Sequence, residues 1–295
     1  MLKNRFTLQS VTAGDPFNKH DQDFNTEDII YFKGSFECHP KEYLSLFGYT
    51  FDRTTSFGSL ESQMVAAGTF HPMYGEGSAP SDFYSLTNVS NPNHCSITAI
   101  SNILRYWRSI CCSNYPSSYN SLFGTVAVQA ESPGYFDRTA PNSYFNGNAL
   151  DVMLATNRTY GYDGRGFSCY EADWGFLKTY IDNNWPIYMS IHDRTTFTEQ
   201  TVMVYDSHAV VAFAYNVLQA YKDGEAYFHT FVKVFDGWGD YQVSPQDLEN
   251  ATETNAPYGG GGVRYISWDM LEYYILPIEG EPIDVIMHAF CPYQI

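Results

Sequence analysis

The chain has 295 residues, 44% of them hydrophobic, and carries 33 acidic against 16 basic residues for a formal net charge of −17. That apolar content specifies a globular chain of one large domain or two halves. The acidity excludes non-specific binding to nucleic acid, whose phosphates require a basic surface, and docking on anionic lipid. No apolar run reaches the ~20 residues that a membrane-spanning helix needs, and the stretch Met1 to Ser10 has no signal-peptide apolar segment. Low Lys with abundant Tyr, Asn and Ser suggests a secreted chain, whose signal would then be missing from this sequence. The six cysteines (Cys38, Cys95, Cys111, Cys112, Cys169 and Cys291) form no C-x-x-C pair, so no zinc site is expected.

In chain order, residues 1–75 read as an N-terminal extension, polar at first and then briefly apolar at Ile29 to Phe36. Gly75 to Ser81 is a loop or linker rich in Gly, Pro and Ser. Beyond it, residues 76–295 read as one α+β domain, helical over about 90–184 and strand-rich over about 185–295. A helix over Cys95 to Ile110 is predicted from the spacing of Ile97, Ile100, Leu104 and Trp107, with Asn91 as cap and Pro92 at the first helical position. A second helix is predicted from Ser168, with Ser168 and Glu171 as capping box, a buried stripe of Trp174, Leu177 and Ile181, and an end at Asn183, Asn184 and Pro186. The period then changes to two. Ile187, Met189 and Ile191 alternate with Tyr188, Ser190 and His192, and Val210–Tyr215, Phe231–Phe235 and Ile283–Met287 read as further strands.

Three elements bear on chemistry. Cys95 falls in the first turn of its helix, where unpaired N–H groups and the helix dipole favour the nucleophilic thiolate. His208 stands at the start of a buried strand, a rigid place for a general base. Asp236 ends an apolar strand before the turn Gly237-Trp238-Gly239, placed to accept the Nδ1–H of His208 and fix its tautomer. Taken singly, each has an ordinary structural explanation: a packed thiol, a hydrogen-bonded histidine, a turn-capping aspartate.

Together they resemble the papain-like cysteine peptidase superfamily, and within it the bacterial C39-like, staphopain-like and streptopain-like peptidases. Cys95-Ser96-Ile97-Thr98-Ala99 is similar to the C-G-P-T-A with which those enzymes open their central helix. His208-Ala209-Val210 matches their H-A-V strand, Asp236-Gly237-Trp238-Gly239 resembles their N-S-W-G turn with the Asp of C39-like relatives, and Asn184-Trp185-Pro186-Ile187 looks like their G-K-P-V. The resemblance covers about residues 90–240. It implies a helical half, with the Cys helix at its centre, packed on an antiparallel sheet or barrel. It also implies peptide-bond hydrolysis through a thioester acyl-enzyme, with Cys95 as nucleophile, His208 as base, Asp236 orienting the base and Trp238 shielding the pair. No metal or organic cofactor is implied; the partner is a peptide or protein substrate, and the oligomeric state stays open. By the same resemblance residues 1–75 are a candidate propeptide lying across the cleft, or else an extension packed behind the core.

The chain departs from the family pattern in three places: the Trp that often follows the papain Cys is missing, the G-Y after the His strand is Ala214-Tyr215, and the third concerns the oxyanion hole. The oxyanion-hole Gln six residues before the nucleophile is here Val89, which leaves Asn91 and Asn93 as candidate donors. That departure keeps open a catalytically inactive fold used for binding. A transglutaminase or amidase with the same triad is a further alternative. Other signals carry less. Asp21-Gln22-Asp23-Phe24-Asn25 opens like a calcium loop but has Thr26 and Phe32 where an EF-hand needs Gly and Glu. His39 and His71 are expected at the surface.

Overall fold

The structure is a computed structural model that describes residues 40–46, 48–74, 79, 81–141, 143–192, 208–237, 263–268 and 284–294. In chain order its elements are α1 (Pro40–Leu46), β1 (Thr50–Ser59), α2 (Glu61–Ala66), α3 (Phe83–Thr87), α4 (Cys95–Ile110), α5 (Tyr119–Glu131), α6 (Ala149–Thr159), β2 (Tyr162–Cys169), α7 (Trp174–Asp182), β3 (Ile187–His192), β4 (His208–Lys222), β5 (Glu225–Phe235), β6 (Val263–Ser267) and β7 (Asp284–Gln294). The fold is α+β, as expected: among the described residues, an antiparallel seven-stranded sheet in the order β2-β7-β3-β4-β5-β6, with β1 paired to the far half of β4.

The sheet is covered on both faces, which explains the unbroken apolar run in β4. Tyr188, Ala209, Val211, Phe213, Phe235 and Phe290 face a core shared with α4, α5 and α6. Their alternates Ile187, Met189, Val210, Ala212 and Val234 face a second core closed by Leu177 and Ile181 of α7 and Leu44 of α1. Period-two alternation thus survives inside the continuous run, with both sides apolar because both sides are dry.

Helix α4 is buried almost all round, not on one face alone. Ile97, Ile100, Ile103 and Leu104 are fully buried, each worth about 1.5–3 kcal/mol relative to exposure. The polar residues of the other face are buried with partners, as a dry environment requires. Ser101 Oγ donates to the Ile97 carbonyl at 2.7 Å, and the Asn102 amide exchanges two hydrogen bonds with the backbone of His71, at 3.1 and 3.2 Å.

Three sequence expectations change here. The second predicted helix starts later: Ser168 lies on β2, and α7 opens at Trp174 with Asp173 as cap, its Oδ1 accepting from Phe176 N at 3.0 Å. Its end is as predicted, with Asn184 in the left-handed region at φ 61°. The predicted helical stretch also contains β2. This strand carries Gly164 and Gly166 where an added Cβ would come within 2.6 Å of Phe290 and 2.1 Å of Leu150. Thirdly, residue 75 is not a domain boundary. Residues 50–59 are a strand of the sheet, Leu60 and Met64 are fully buried in the helical-side core, and Glu61 forms a part-buried ion pair with Lys233 of β5 at 2.8 Å. The segment Ile29 to Phe36 lies outside the described residues.

Candidate active site

Cys95 is the first residue of α4, and His94, not Asn91, occupies the cap position, with no side-chain cap bond. The reason lies in what Asn91 does instead. It is fully buried, its Oδ1 accepts from Asn93 N at 2.9 Å, and its Nδ2 donates to the carbonyls of Asp137 (2.8 Å) and Ser143 (2.9 Å). Both amide hydrogens are therefore spent on holding the turn that leads into the helix, and Asn91 has none to offer an oxyanion. Asn93 differs: its Nδ2 donates one bond, to Pro141 O at 2.9 Å, and the side chain lines the cleft beside Cys95.

His94 is a structural neighbour of Cys95. Its Nε2–H donates to the Tyr74 carbonyl at 2.9 Å and its Nδ1 accepts from Thr98 Oγ1 at 2.9 Å, between the rings of Phe83 and Phe123. Burial pushes its pKa down and keeps it neutral. His71, expected at the surface, is half-buried and stacked on Tyr119 at 3.8 Å, and burial lowers its pKa to about 4. His39 lies outside the described residues.

His208 opens β4 and is buried, and Asp236 follows β5 and is buried. The two strands are neighbours, with Val211 opposite Phe235. His208 Nε2 lies 2.6 Å from the main-chain carbonyl of Asp236. A carbonyl can only accept, so the proton sits on Nε2. This bond differs from the expected one: it joins Nε2 to the backbone carbonyl of Asp236, where the sequence reading put Nδ1–H on the carboxylate. In the neutral ring Nδ1 is consequently the basic nitrogen. Gly237 next to Asp236 has φ +77°, and its Cα side faces Met73 and Thr98 of α4. The turn after β5 thus packs on the first turns of the Cys95 helix. Trp238 lies outside the described residues.

The residue Cys95 is half-buried at the floor of a cleft of about 380 Å³. Its sulfur is packed about by protein, and this desolvation pushes the thiol up from its ordinary range. Against that, the backbone N–H of Ala209, that of Ser96, the Ser96 hydroxyl and the backbone N–H of Cys95 favour its anion. Ala209 directly follows His208 and lines the same cleft as Cys95 and Ser96, so the start of β4 lies beside the first turn of α4.

The chain matches the model of the Peptidase_C39 like family over residues 81–254, more than half its length. It belongs to the C39-like peptidase family. No curated protein and no solved structure matches it. The stretch of this C39-like chain that matches contains Cys95, His208 and Asp236, and membership carries the general character of a cysteine peptidase.

The floor of the C39-like cleft is set by sheet register. Tyr188 pairs with His288, Ser190 with Ile286 and Ser190 with Ala209, so one patch of β7, β3 and β4 presents these five side chains beside Cys95. Tyr144 and Tyr170 line it too and are exposed. His288 stacks on Tyr188 at 5.6 Å, its Nδ1 bonds Ser168 Oγ at 2.8 Å, and burial lowers its pKa to about 4. Sequence reasoning missed Ser96, Tyr188, Ser190 and His288 as cleft residues. The alternation of β3 would have put Tyr188 and Ser190 on one face; nothing in the sequence pairs that face with His288.

Proposed function

We propose that the protein is a cysteine peptidase in which Cys95 is the nucleophile, His208 the general base and acid, and Asp236 the residue that holds His208. The observation that carries this reading is the bond from His208 Nε2–H to the Asp236 carbonyl at 2.6 Å, with Ala209, the residue after His208, lining the same cleft as the helix-start Cys95. With Nε2 anchored, Nδ1 is the nitrogen that takes the Cys95 proton. Because burial holds the thiol up, Cys95 needs that partner: the thiolate forms as one half of an ion pair with imidazolium.

Attack of the thiolate on a peptide carbonyl gives a tetrahedral oxyanion. The Cys95 backbone N–H, which as the first helical donor has no acceptor inside the helix, supports that charge, and Asn93 supplies the second donor in place of the missing Gln. His208 Nδ1–H then protonates the leaving amine, the thioester forms, and His208 activates water to release the acid. The partner is an extended peptide, and a secreted location fits an enzyme acting on such substrates.

The test uses the purified full chain with a fluorogenic peptide library and casein. Hydrolysis that Cys95→Ala and His208→Ala each abolish, with E-64 captured at Cys95, supports the reading. Slow, undifferentiated labelling of all thiols and no hydrolysis would leave the inactive binding fold. Incorporation of a primary amine without hydrolysis would indicate a transglutaminase.

A further inference from the structure

Sheet register lays two cross-strand rows beside the first turn of α4. Ser168 of β2, His288 of β7 and Tyr188 of β3 form one row, and Ile286, Ser190 and Ala209 form the next. In the first row the polar atoms pair off. Tyr188 Oη and Ser96 Oγ lie 3.0 Å apart, and His288 Nδ1 and Ser168 Oγ lie 2.8 Å apart. The His288 ring is stacked on Tyr188 at 5.6 Å and meets Tyr170 edge-on at 6.4 Å. Only 2% of His288 is exposed, yet the residue lines the cleft with Cys95. Its Nε2 makes no hydrogen bond among the described residues. A nearly dry imidazole, held by one nitrogen and open at the other, therefore stands in the cleft floor, where a polar atom needs a partner.

We propose that His288 is the specificity-determining residue of this cleft, and that its Nε2 reads the hydroxyl of a substrate tyrosine side chain near the scissile bond. The proposal rests on reading the cleft as the substrate site of a cysteine peptidase. Tyr188, Tyr170 and Phe145 line the cleft together with the imidazole, and such walls suit a flat ring. At about 380 Å³ the cleft has room for one. No Asp, Glu, Lys or Arg side chain lines it among the described residues, and burial keeps His288 neutral. A charged side chain would lose its water there without gaining a counter-ion. The bond to Ser168 can run either way, so Nε2 is either a donor or an acceptor. A phenol hydroxyl both donates and accepts, and pairs with it in each case. Phenylalanine would fill the same space and leave Nε2 without a partner.

The test uses the purified full chain and internally quenched peptides of one sequence, with Tyr, Phe, Lys or Asp placed in turn at each position flanking the scissile bond. At one position the Tyr peptide is expected to exceed the Phe peptide by about tenfold in kcat/KM, the yield of one hydrogen bond. It is expected to exceed the Lys and Asp peptides by about a hundredfold or more. In His288→Phe, which keeps a ring over Tyr188, the Tyr-to-Phe ratio is expected to fall to about one; a ratio is blind to a general loss of activity. A wild-type enzyme that cleaves Phe peptides as fast as Tyr peptides at every position, or a folded His288→Phe that keeps the ratio, overturns the assignment. Should His288→Phe not fold, the wild-type ratio decides alone. The same sequences, labelled with fluorescein, are titrated onto Cys95→Ala and read by anisotropy, where Tyr is expected to bind more tightly than Phe. If wild type hydrolyses no peptide while that ranking persists, the peptidase reading fails and the tyrosine pocket stands. Equal binding of all four peptides removes the pocket.

Discussion

Replacing Gly237 by alanine separates a turn that merely ends β5 from one that holds the base. At φ +77° Gly237 is in the left-handed region, where an L side chain costs about 1–2 kcal/mol. The added Cβ would stand 3.3 Å from Met73 Cγ and 3.7 Å from Met73 Sδ and Thr98 Cγ2. Only the first is tight, and methionine is flexible enough to yield, so the stability loss stays at about 1–2 kcal/mol. The functional loss is larger. The Asp236 carbonyl belongs to the peptide plane that leads into Gly237, so relaxing φ swings the oxygen that His208 Nε2–H reaches at 2.6 Å. A hydrogen bond to a charged group is worth about 1.5–3 kcal/mol, which converts to a fall in kcat/KM of about one to two orders of magnitude. Urea unfolding reads the first quantity and peptide hydrolysis the second. Gly237→Asn, which tolerates left-handed backbone, should lie between. A Gly237→Ala variant as stable and as active as wild type would refute the argument.

Glu61→Ala should lose about 3–5 kcal/mol in urea unfolding, because it strands the buried Lys233 ammonium between Phe213 and Tyr265, and Glu61→Ala/Lys233→Met should recover most of that. Asn93→Ala should keep wild-type unfolding and lower kcat by about 10²–10³ as an oxyanion donor, whereas Asn91→Ala should lower stability by about 2 kcal/mol or more through the two orphaned carbonyls. Acid should destabilise the protein through two desolvated histidines, one half-buried and one buried. His71 and His288 have pKa values of about 4 when folded against 6.5 in the open chain, so between those limits the unfolded state binds more protons. Their contribution is intact above pH 6.5 and is lost as pH falls towards 4, up to about 3 kcal/mol each. His71→Phe, which keeps the ring on Tyr119, should flatten that slope in urea midpoints measured from pH 7 to 4.5.

What the sequence revealed follows from where its signals are local. The helix at Cys95 and the strands at His208 and Phe231 were legible because apolar spacing alone defines them. Strand β2 was not, because Gly164 and Gly166 are chosen for the close approach of Phe290 and Leu150 rather than for strand propensity. Strand β1 was equally hidden: it is mostly exposed, with Thr54, Thr55 and Phe57 all outward, so no apolar alternation marks it. In the site, the place of Cys95 in the first turn of a helix could be read from apolar spacing. Which of two asparagines keeps a spare hydrogen, and which imidazole nitrogen is anchored, depend on the carbonyls of Asp137, Ser143, Pro141 and Asp236, and no local pattern announces them.

Strand β4 begins with the imidazole and ends alongside β1, where Phe57 faces Asn216 and Thr50 faces Tyr221. Any maturation cut past residue 49 would therefore peel a neighbour from the very strand that carries His208, and leave a raw edge ready to recruit a strand from another molecule. If the precursor is trimmed to awaken it, the shears have to stop ahead of Thr50; cutting deeper would trade a latent enzyme for a sticky one.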